Sequence, residues 1–531
     1  MAGGAVSVSL KAGRNNFSAA LPGIGVLALV LLLTFGSVAA LLTVERSGGL
    51  TRFDWAAIRF TLLQSLLSAT ISAALAVPLA RALVRRRFPG RSLAITLLGA
   101  PFILPVIVAV LGLLAIWGRG GVVNDLLVPL GLPRLDIYGL PGILLAHVFF
   151  NLPLVTRLLL QGWAAIPETQ FRLAAGLGLT PLARFRIIEM PMLRAVLPGA
   201  FLLVFLLCMT SFATVLALGG GPKATTVELA IYQALRFEFD LGQAARLALV
   251  QFAICGGVAV LALSLTRLQP VGGSITAPDI RAGTNHRQRF VDGLILCAML
   301  AFLLAPLVLI AWNGVWGLTG GMTSGFAPAV ATSLAVALGS AFVSTAMALA
   351  LAVWVAGLSR TRGIVVEGLG LLLLAASPFV MGTGLFILLN PFASPFAFAL
   401  PITGLLNAMA ALPFALRALV PALRQAEARF GPLAASLDLT GWARLRLVTW
   451  PAIRRPAGFA LGLAAALSMG DLGVITLFAP PGVETLPLYM YRLMGAYRME
   501  EAAGAALVLM ALSLLLFWVF DRGGRLGPAL R

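Results

Sequence analysis

The sequence is poor in the residues from which metal and disulfide sites are built. It has two histidines and three cysteines among 531 residues, and no two cysteines form a CxxC pair. We therefore expect no metal site and no disulfide framework. The cysteines Cys208, Cys255 and Cys297 lie in apolar runs and are predicted to be buried small hydrophobic side chains. His147 also lies in an apolar run and is interpreted as a hydrogen-bonded residue within the membrane.

Charge is scarce as well. Only 11% of the residues are charged and 60% are hydrophobic, and the mean hydropathy is +1.00. A soluble domain typically has about 25% charged residues, so the composition indicates an integral membrane protein. The net charge of +19 is spread over short blocks between apolar runs. Because binding to phosphate needs a contiguous basic patch, we expect no nucleic-acid partner.

Apolar runs long enough to cross a bilayer predict an all-α protein with about twelve transmembrane helices. Most of the 38 Lys and Arg residues lie in the loops that share a side with the N-terminus. The positive-inside rule therefore places both termini in the cytoplasm. One run, 364–390, is interrupted by Pro378 and several glycines, so part of it is a candidate re-entrant segment. The twelve predicted spans are 21–44, 57–80, 94–117, 139–163, 196–218, 241–265, 291–313, 328–357, 364–390, 398–422, 457–479 and 502–520.

The two halves of the chain resemble each other. The segment "RLAAGLGLTPLARFRIIEMP" at 172–191 matches "PLAASLDLTGWARLRLVTWP" at 432–451 in ten of twenty positions, at an offset of 260 residues. At the same offset, "LPLVTR" at 152–157 matches "LPFALR" at 412–417. We therefore predict two six-helix halves, residues 1–268 and 291–531, joined by a cytoplasmic linker at 269–290. Transporters commonly place their pathway between such related halves.

The first repeated segment has the signals of a helix-turn-helix elbow on the cytoplasmic side. Pro167 is predicted to begin a short helix, and Gly178 suits the left-handed residue that ends it. Thr180 and Pro181 are predicted to begin a second short helix, which should end near Pro191 because the residue before a proline resists helical geometry. The side chains predicted to share the apolar face of the first helix are Phe171, Ala174 and Leu177. The alternative is a pair of ordinary interfacial amphipathic helices.

Both elbows resemble the cytoplasmic EAA loop of ABC-importer permeases, and the whole chain resembles the type I class of these permeases. The matching positions are Ala174, Gly178 and Pro191 in the first copy, and Ala434 and Pro451 in the second. The departures are Arg172 and Pro432 in place of the glutamate, Leu173 and Leu433 in place of the first alanine, and Asp438 in place of the glycine. The resemblance implies that residues 167–195 and 427–455 dock two copies of an ATPase subunit.

No nucleotide site is expected in this chain. Its one lookalike, "GGGPKATT" at 219–226, lacks the Gly-Lys-Ser/Thr order of a phosphate-binding loop. The chain is therefore predicted to be no enzyme and to bind no cofactor, while the partner ATPase uses ATP and Mg. A membrane-embedded enzyme would also need a nucleophile-base or metal constellation, and the sequence has none.

Three further stretches resemble the permease family of bacterial thiamine (thiamine pyrophosphate) importers. They are "SFATVLALGGGPKATTVELAIYQ" at 211–233, "LSMGDLGVITLF" at 467–478 and "ETLPLYMYRLMGAYR" at 484–498. The resemblance implies a bacterial inner-membrane permease for thiamine and its phosphates, supplied by an extracytoplasmic solute-binding protein. A ferric-iron importer permease is the nearest alternative. An ion-coupled secondary transporter is a weaker one, because only one acidic residue is predicted within a span.

That acidic residue is Asp471, and intramembrane carboxylates usually face a cavity or a partner. It is interpreted either as a substrate-pathway residue that favours a cation or as a structural carboxylate that caps a broken helix. Tyr232, Tyr489 and Tyr491 lie near the outer ends of spans, where they could stack on a pyrimidine ring or belong to the interfacial aromatic belt. Glu228 is predicted in an outer loop, either in contact with the binding protein or solvated.

Overall fold

The computed structural model describes residues 16–44, 49–265, 286–359 and 376–525, together with Gly363 and Val366. This part of the chain is helical and contains no β-strand. Ten of its helices are long and apolar enough to cross a membrane. We number the described α-helices as follows: α1 Asn16–Thr43, α2 Arg52–Arg85, α3 Arg91–Leu97, α4 Val106–Trp117, α5 Val122–Leu127, α6 Leu140–Ala164, α7 Glu168–Gly176, α8 Pro181–Arg184, α9 Met190–Met209, α10 Phe212–Leu218, α11 Val227–Gln233, α12 Leu241–Leu265, α13 His286–Thr319, α14 Phe326–Gly357, α15 Pro378–Leu389, α16 Ala399–Ser436, α17 Gly441–Arg444, α18 Trp450–Met469, α19 Gly473–Phe478, α20 Leu486–Gly495 and α21 Met499–Arg525.

The all-α membrane class is confirmed, whereas the count of twelve spans stays a prediction. Two predicted spans, 364–390 and 457–479, are not among the ten long apolar helices. The first lies partly outside the described residues, and its described part is the twelve-residue α15. The second is divided into α18 and α19 at Gly470–Leu472. The predicted span 94–117 is also broken: Pro105 has no N–H group to donate to the preceding turn, and it stands as the N-cap of α4.

The elements around the two elbows recur at the offset seen in the sequence. α8 begins at Pro181 and α17 at Gly441, which gives 441 − 181 = 260. The following π-helical segments, Phe185–Glu189 and Leu445–Thr449, and then α9 and α18, have the same displacement. The matching sequence segments therefore adopt matching local structure.

Two long helices pack across the predicted boundary between the halves. α1 lies against α14 and α15, and α13 lies against α4 and α2. Glycines allow the close approach: a Cβ at Gly384 would lie 2.6 Å from Ser37 Cα, and one at Gly112 would lie 2.6 Å from Ile310 Cδ1. Each half therefore contributes a helix to the body of the other.

The predicted linker lies mostly outside the described residues, which resume at His286. Residues 286–290 belong to the predicted linker, but in the structure they form the first turn of α13. In the second turn, Asp292 is ion-paired with Arg86 at 2.7 Å. The end of α2 therefore stabilises an earlier start of α13 than the apolar run predicts. The cysteine prediction also needs a correction, since Cys208 and Cys255 are buried but Cys297 is exposed on α13.

Candidate functional site

The first elbow consists of α7, a tight turn and α8. Gly178 has φ 62°, the left-handed conformation predicted for it. The Leu179 N–H donates to the Ala174 carbonyl at 3.0 Å and closes the turn. Thr180 begins α8 as predicted, because its Oγ1 accepts from the Ala183 N–H at 3.3 Å. Local signals in the sequence therefore determine this bend.

The second elbow has the same bend in spite of its aspartate. Asp438 has φ 49°, and the Leu439 N–H donates to the Ala434 carbonyl at 2.9 Å. Aspartate tolerates the left-handed region better than most residues do. The helix before this bend differs, because Glu427 stands where the first copy has Pro167, and α16 continues without a break. The two turns thus have the same geometry, whereas the helices that lead into them differ.

Two expectations about the elbows are wrong. The helix that begins at Pro181 does not end near Pro191 but continues into α9 through a π-helical segment. In that segment the Met190 N–H donates to the Phe185 carbonyl, five residues back, as in a π-helix. Pro191 then lies in the first turn of α9, so the helix continues through it. Leu177 is not on the buried face with Phe171 and Ala174 but is 68% exposed.

Exposed apolar side chains cover both elbows, a feature that the sequence did not single out. They are between 58% and 73% exposed. Each of these residues of the first elbow has an exposed apolar counterpart 260 residues later. Exposed apolar patches on otherwise polar segments commonly mark protein-interaction sites. The residues are Leu173, Leu177, Leu182 and Ile187 in the first elbow, and Leu433, Leu437, Trp442 and Leu447 in the second.

A cavity of about 390 Å³ lies between segments from the two sides of the linker. α6, α9, α10 and α11 line it from one side, and α15, α16 and the α18–α19 break line it from the other. Among the described residues of its lining there are two carboxylates and neither lysine nor arginine. The polar lining residues are His147, Asn151, Thr210, Ser211, Thr214, Glu228, Ser377, Asn407, Ser468 and Asp471.

Asp471 lies in this cavity at the break between α18 and α19. Its Oδ1 accepts from the N–H groups of Gly473 at 3.1 Å and Val474 at 3.4 Å, which caps α19. Its Oδ2 is buried and has no hydrogen-bond partner in the described structure. One carboxylate oxygen thus has the geometry of a helix cap, and the other takes no part in the cap.

The counterpart of Asp471 on the other side of the cavity is neutral. Ser211 occupies the equivalent position and shares a 2.8 Å hydrogen bond with His147 Nε2. His147 Nδ1 is hydrogen-bonded to Ser68 at 2.9 Å, so both ring nitrogens have partners. Asn407, the counterpart of His147, donates to Ser468 at 3.0 Å and lies beside Asp471. Of the repeated polar pairs 147/407 and 211/471, only the second contains a carboxylate, that of Asp471.

Glu228 is a second carboxylate of the cavity, so its assignment to an outer loop is wrong. It is 1% exposed and accepts a short hydrogen bond from Ser377. The chain turns back after the loop at 219–226, and α11 carries Glu228 into the protein. Because a returning segment and a loop have the same local sequence pattern, the position of Glu228 depends on tertiary contacts.

The three tyrosines singled out in the sequence do not line the cavity. Tyr232 packs edge-on against Phe212, with ring centroids 5.3 Å apart, and Phe212 packs against Phe379 at 4.3 Å. Phe212 and Phe379 line the cavity, whereas Tyr232 and the nearby Tyr491 do not. Tyr489 is buried and hydrogen-bonded to Thr323. Phenylalanine rings therefore line the cavity, and none of the three tyrosines does.

A multi-pass helical body, a cavity between repeated segments and two matching elbows define the permease class of ABC importers. No protein-family model matches the chain. Over 517 residues it is 42% identical to the thiamine transport system permease protein ThiP of Brucella abortus, covering 94% of this chain and 95% of that protein. The ThiP proteins of Salmonella typhimurium and Haemophilus influenzae are 40% and 34% identical over 94% and 87% of this chain, and the matches cover 96% and 87% of those proteins. The chain belongs to the thiamine transport system permease family, which confirms the predicted family and inner-membrane transport class.

Proposed function

We propose that this chain is the membrane permease of an ATP-driven importer for thiamine and its phosphates. A solute-binding protein delivers substrate at the outer face, and two ATPase subunits hydrolyse ATP with Mg at the cytoplasmic face, where both termini lie. The two halves, 1–268 and 291–531, then alternate access to the cavity between them. The single observation that carries the proposal is the pair of matching elbows with exposed apolar side chains.

The elbows fit a partner that presents the same surface twice. The four exposed apolar positions of one elbow recur in the other at a constant offset, and both bends are closed by equivalent hydrogen bonds. A site for a lipid surface would not need this agreement in position. An ATPase dimer needs this agreement, because each of its two subunits must bind an equivalent element.

The cavity suits an aromatic cation. Asp471 and Glu228 supply carboxyl groups, and Phe212 and Phe379 supply ring faces. Thiamine combines a thiazolium cation with an aromatic pyrimidine, so both of its features have counterparts here. The family relatives also favour thiamine over the ferric-iron alternative, because their names specify thiamine transport.

The docking proposal is tested by co-purification of the ATPase. Leu177→Glu and Leu437→Glu place a charge in each exposed patch, and each should reduce retained ATPase by at least about tenfold, because burying an unpaired charge is costly. Leu126→Glu is the matched control, since Leu126 is 64% exposed on the predicted outer side. Full ATPase retention in both elbow variants would disprove docking at these surfaces.

The pathway proposal is tested by uptake into reconstituted vesicles that contain the complete importer. Asp471→Asn keeps the shape of the side chain and removes its charge, so thiamine uptake should fall by roughly tenfold, the effect of losing one hydrogen-bonded charge. Asp521→Asn, at the cytoplasmic end of α21, is the control. Wild-type uptake by a normally assembled Asp471→Asn variant would contradict the pathway role, and uptake of ferric ion but not thiamine would contradict the substrate.

A further inference from the structure

Each copy of the repeated motif, "LPLVTR" and "LPFALR", ends in an arginine that has no role in the docking proposal or in the pathway proposal. In α6 the residues that line the cavity are His147, Phe150, Asn151 and Leu154, a spacing of three to four residues. The next position on this stripe is Arg157. In α16 the lining residues Asn407, Ala410 and Phe414 lead in the same way to Arg417. Each half therefore carries an arginine one helical turn beyond the cavity lining.

Arg157 is half-buried and lies well before the end of its helix. It is seven residues before the end of α6 at Ala164, which is about 10 Å at 1.5 Å per residue. It lies about 4.5 Å along the axis from Leu154, on the predicted cytoplasmic side of the cavity. Its Nη1 would be 2.5 Å from a Cβ at Gly99, two residues before the cavity residue Pro101. The guanidinium therefore sits against the turn that forms the inner end of the cavity.

Within the described residues, Arg157 has neither an ion pair nor a hydrogen bond, and it is half-buried. Arg417 differs, because it already has an interaction partner. A positive charge within a membrane-spanning helix normally has a partner or faces a ligand or a water-filled path. Guanidinium groups bind phosphate well because their N–H donors match its oxygens.

The Asp471 carboxylate and the Arg157 guanidinium are thus separated along the axis of α6. Asp471 lies just after the end of α18, as Ser211 lies just after the end of α9, and Arg157 lies about 15 Å along α6 from His147, which contacts Ser211. A molecule with a cationic ring at one end and a phosphate at the other matches this arrangement. We propose that Arg157 binds the phosphate group of a phosphorylated substrate while the ring cation faces the Asp471 carboxylate; this inference rests on the proposed function.

The test measures binding to the full-length permease in lipid nanodiscs, without the binding protein. The probes are thiamine, thiamine pyrophosphate and inorganic pyrophosphate. The wild-type chain should bind thiamine pyrophosphate more tightly than thiamine, and Arg157→Gln should reduce this preference by about tenfold while leaving the Kd for thiamine unchanged. Arg157→Lys should retain part of the preference. Arg134→Gln, which alters an exposed arginine of the loop between α5 and α6, is the matched control and should retain all of it.

Gly99→Ala provides an independent variant that keeps the arginine. Its methyl group displaces the guanidinium, so the preference for the pyrophosphate should fall as in Arg157→Gln. Equal weakening of thiamine and thiamine pyrophosphate by Arg157→Gln would overturn the proposal and indicate a structural role. A wild-type chain that binds thiamine but shows no preference would also overturn it, whereas a chain that binds neither compound contradicts the proposed function itself.

Anionic lipid is the other source of phosphate at this depth. Nanodiscs of phosphatidylcholine alone and nanodiscs that also contain phosphatidylglycerol distinguish the two sources. The preference for the pyrophosphate should be the same in both. If phosphatidylglycerol abolishes it in the wild type, the guanidinium binds a lipid headgroup and the substrate proposal is wrong.

Discussion

The bend of the first elbow allows the effect of one methyl group to be calculated from the backbone. Gly178 has φ 62°, and a Cβ there would meet no heavy atom within 4 Å. The cost of Gly178→Ala is therefore conformational: about 1–2 kcal/mol for a left-handed L-residue, offset by about 0.4–1 kcal/mol from the reduced freedom of the unfolded chain. The net effect is about 1 kcal/mol, or roughly a fivefold shift in the local opening equilibrium.

Hydrogen exchange of the Leu179 amide measures this shift, because its bond to Ala174 closes the turn. Gly178→Ala should speed this exchange by roughly fivefold, and Gly178→Asp by less, since Asp438 adopts the same conformation in the second elbow. The Leu439 amide is the internal control and should be unaffected. Unchanged exchange in Gly178→Ala, or faster exchange in Gly178→Asp than in Gly178→Ala, would refute the reasoning.

Two further predictions concern the attachment of the elbow and the packing of α1. Arg81 Nε donates to Glu189 at 2.7 Å, and Glu189 is 1% exposed. Arg81→Gln should therefore lower the free energy of unfolding by about 3–5 kcal/mol, because it leaves the buried Glu189 charge unpaired. Thermal unfolding measures this loss. The Arg81→Gln/Glu189→Gln double variant should recover much of this loss, and no recovery would contradict the charge argument. Gly384→Ala should lower stability by about 1–3 kcal/mol because the methyl group overlaps Ser37, and an unchanged unfolding midpoint would show that α1 does not pack there.

The sequence was most informative where local chemistry determines structure. Thr180 caps α8, Gly178 allows the bend, and both signals act over four residues or fewer. The second bend could also be predicted, since Asp438 occupies the equivalent position and is tolerant of positive φ. Duplication added weight because two independent copies needed the same geometry.

The sequence was least informative where tertiary contacts determine position. Glu228 enters the cavity because α11 folds back beside Ser377, and nothing within a few residues of Glu228 indicates this. The passage through Pro191 depends on a π-helical turn, which propensities do not predict. Arg157 lies within the predicted span 139–163, and only the helical stripe through the cavity residues relates it to the cavity.

The crossing of α1 to the other half has a consequence for synthesis in the cell. α1 ends at Thr43, but its neighbour α15 ends only at Leu389. At about 5–20 residues per second, the ribosome needs about 17–70 seconds to make the chain between them. During that interval the face of α1 that later contacts Gly384 must be covered by lipid or by an insertion factor. Of the described helices, α1 is thus among the earliest to be made and among the last to reach all of its final neighbours.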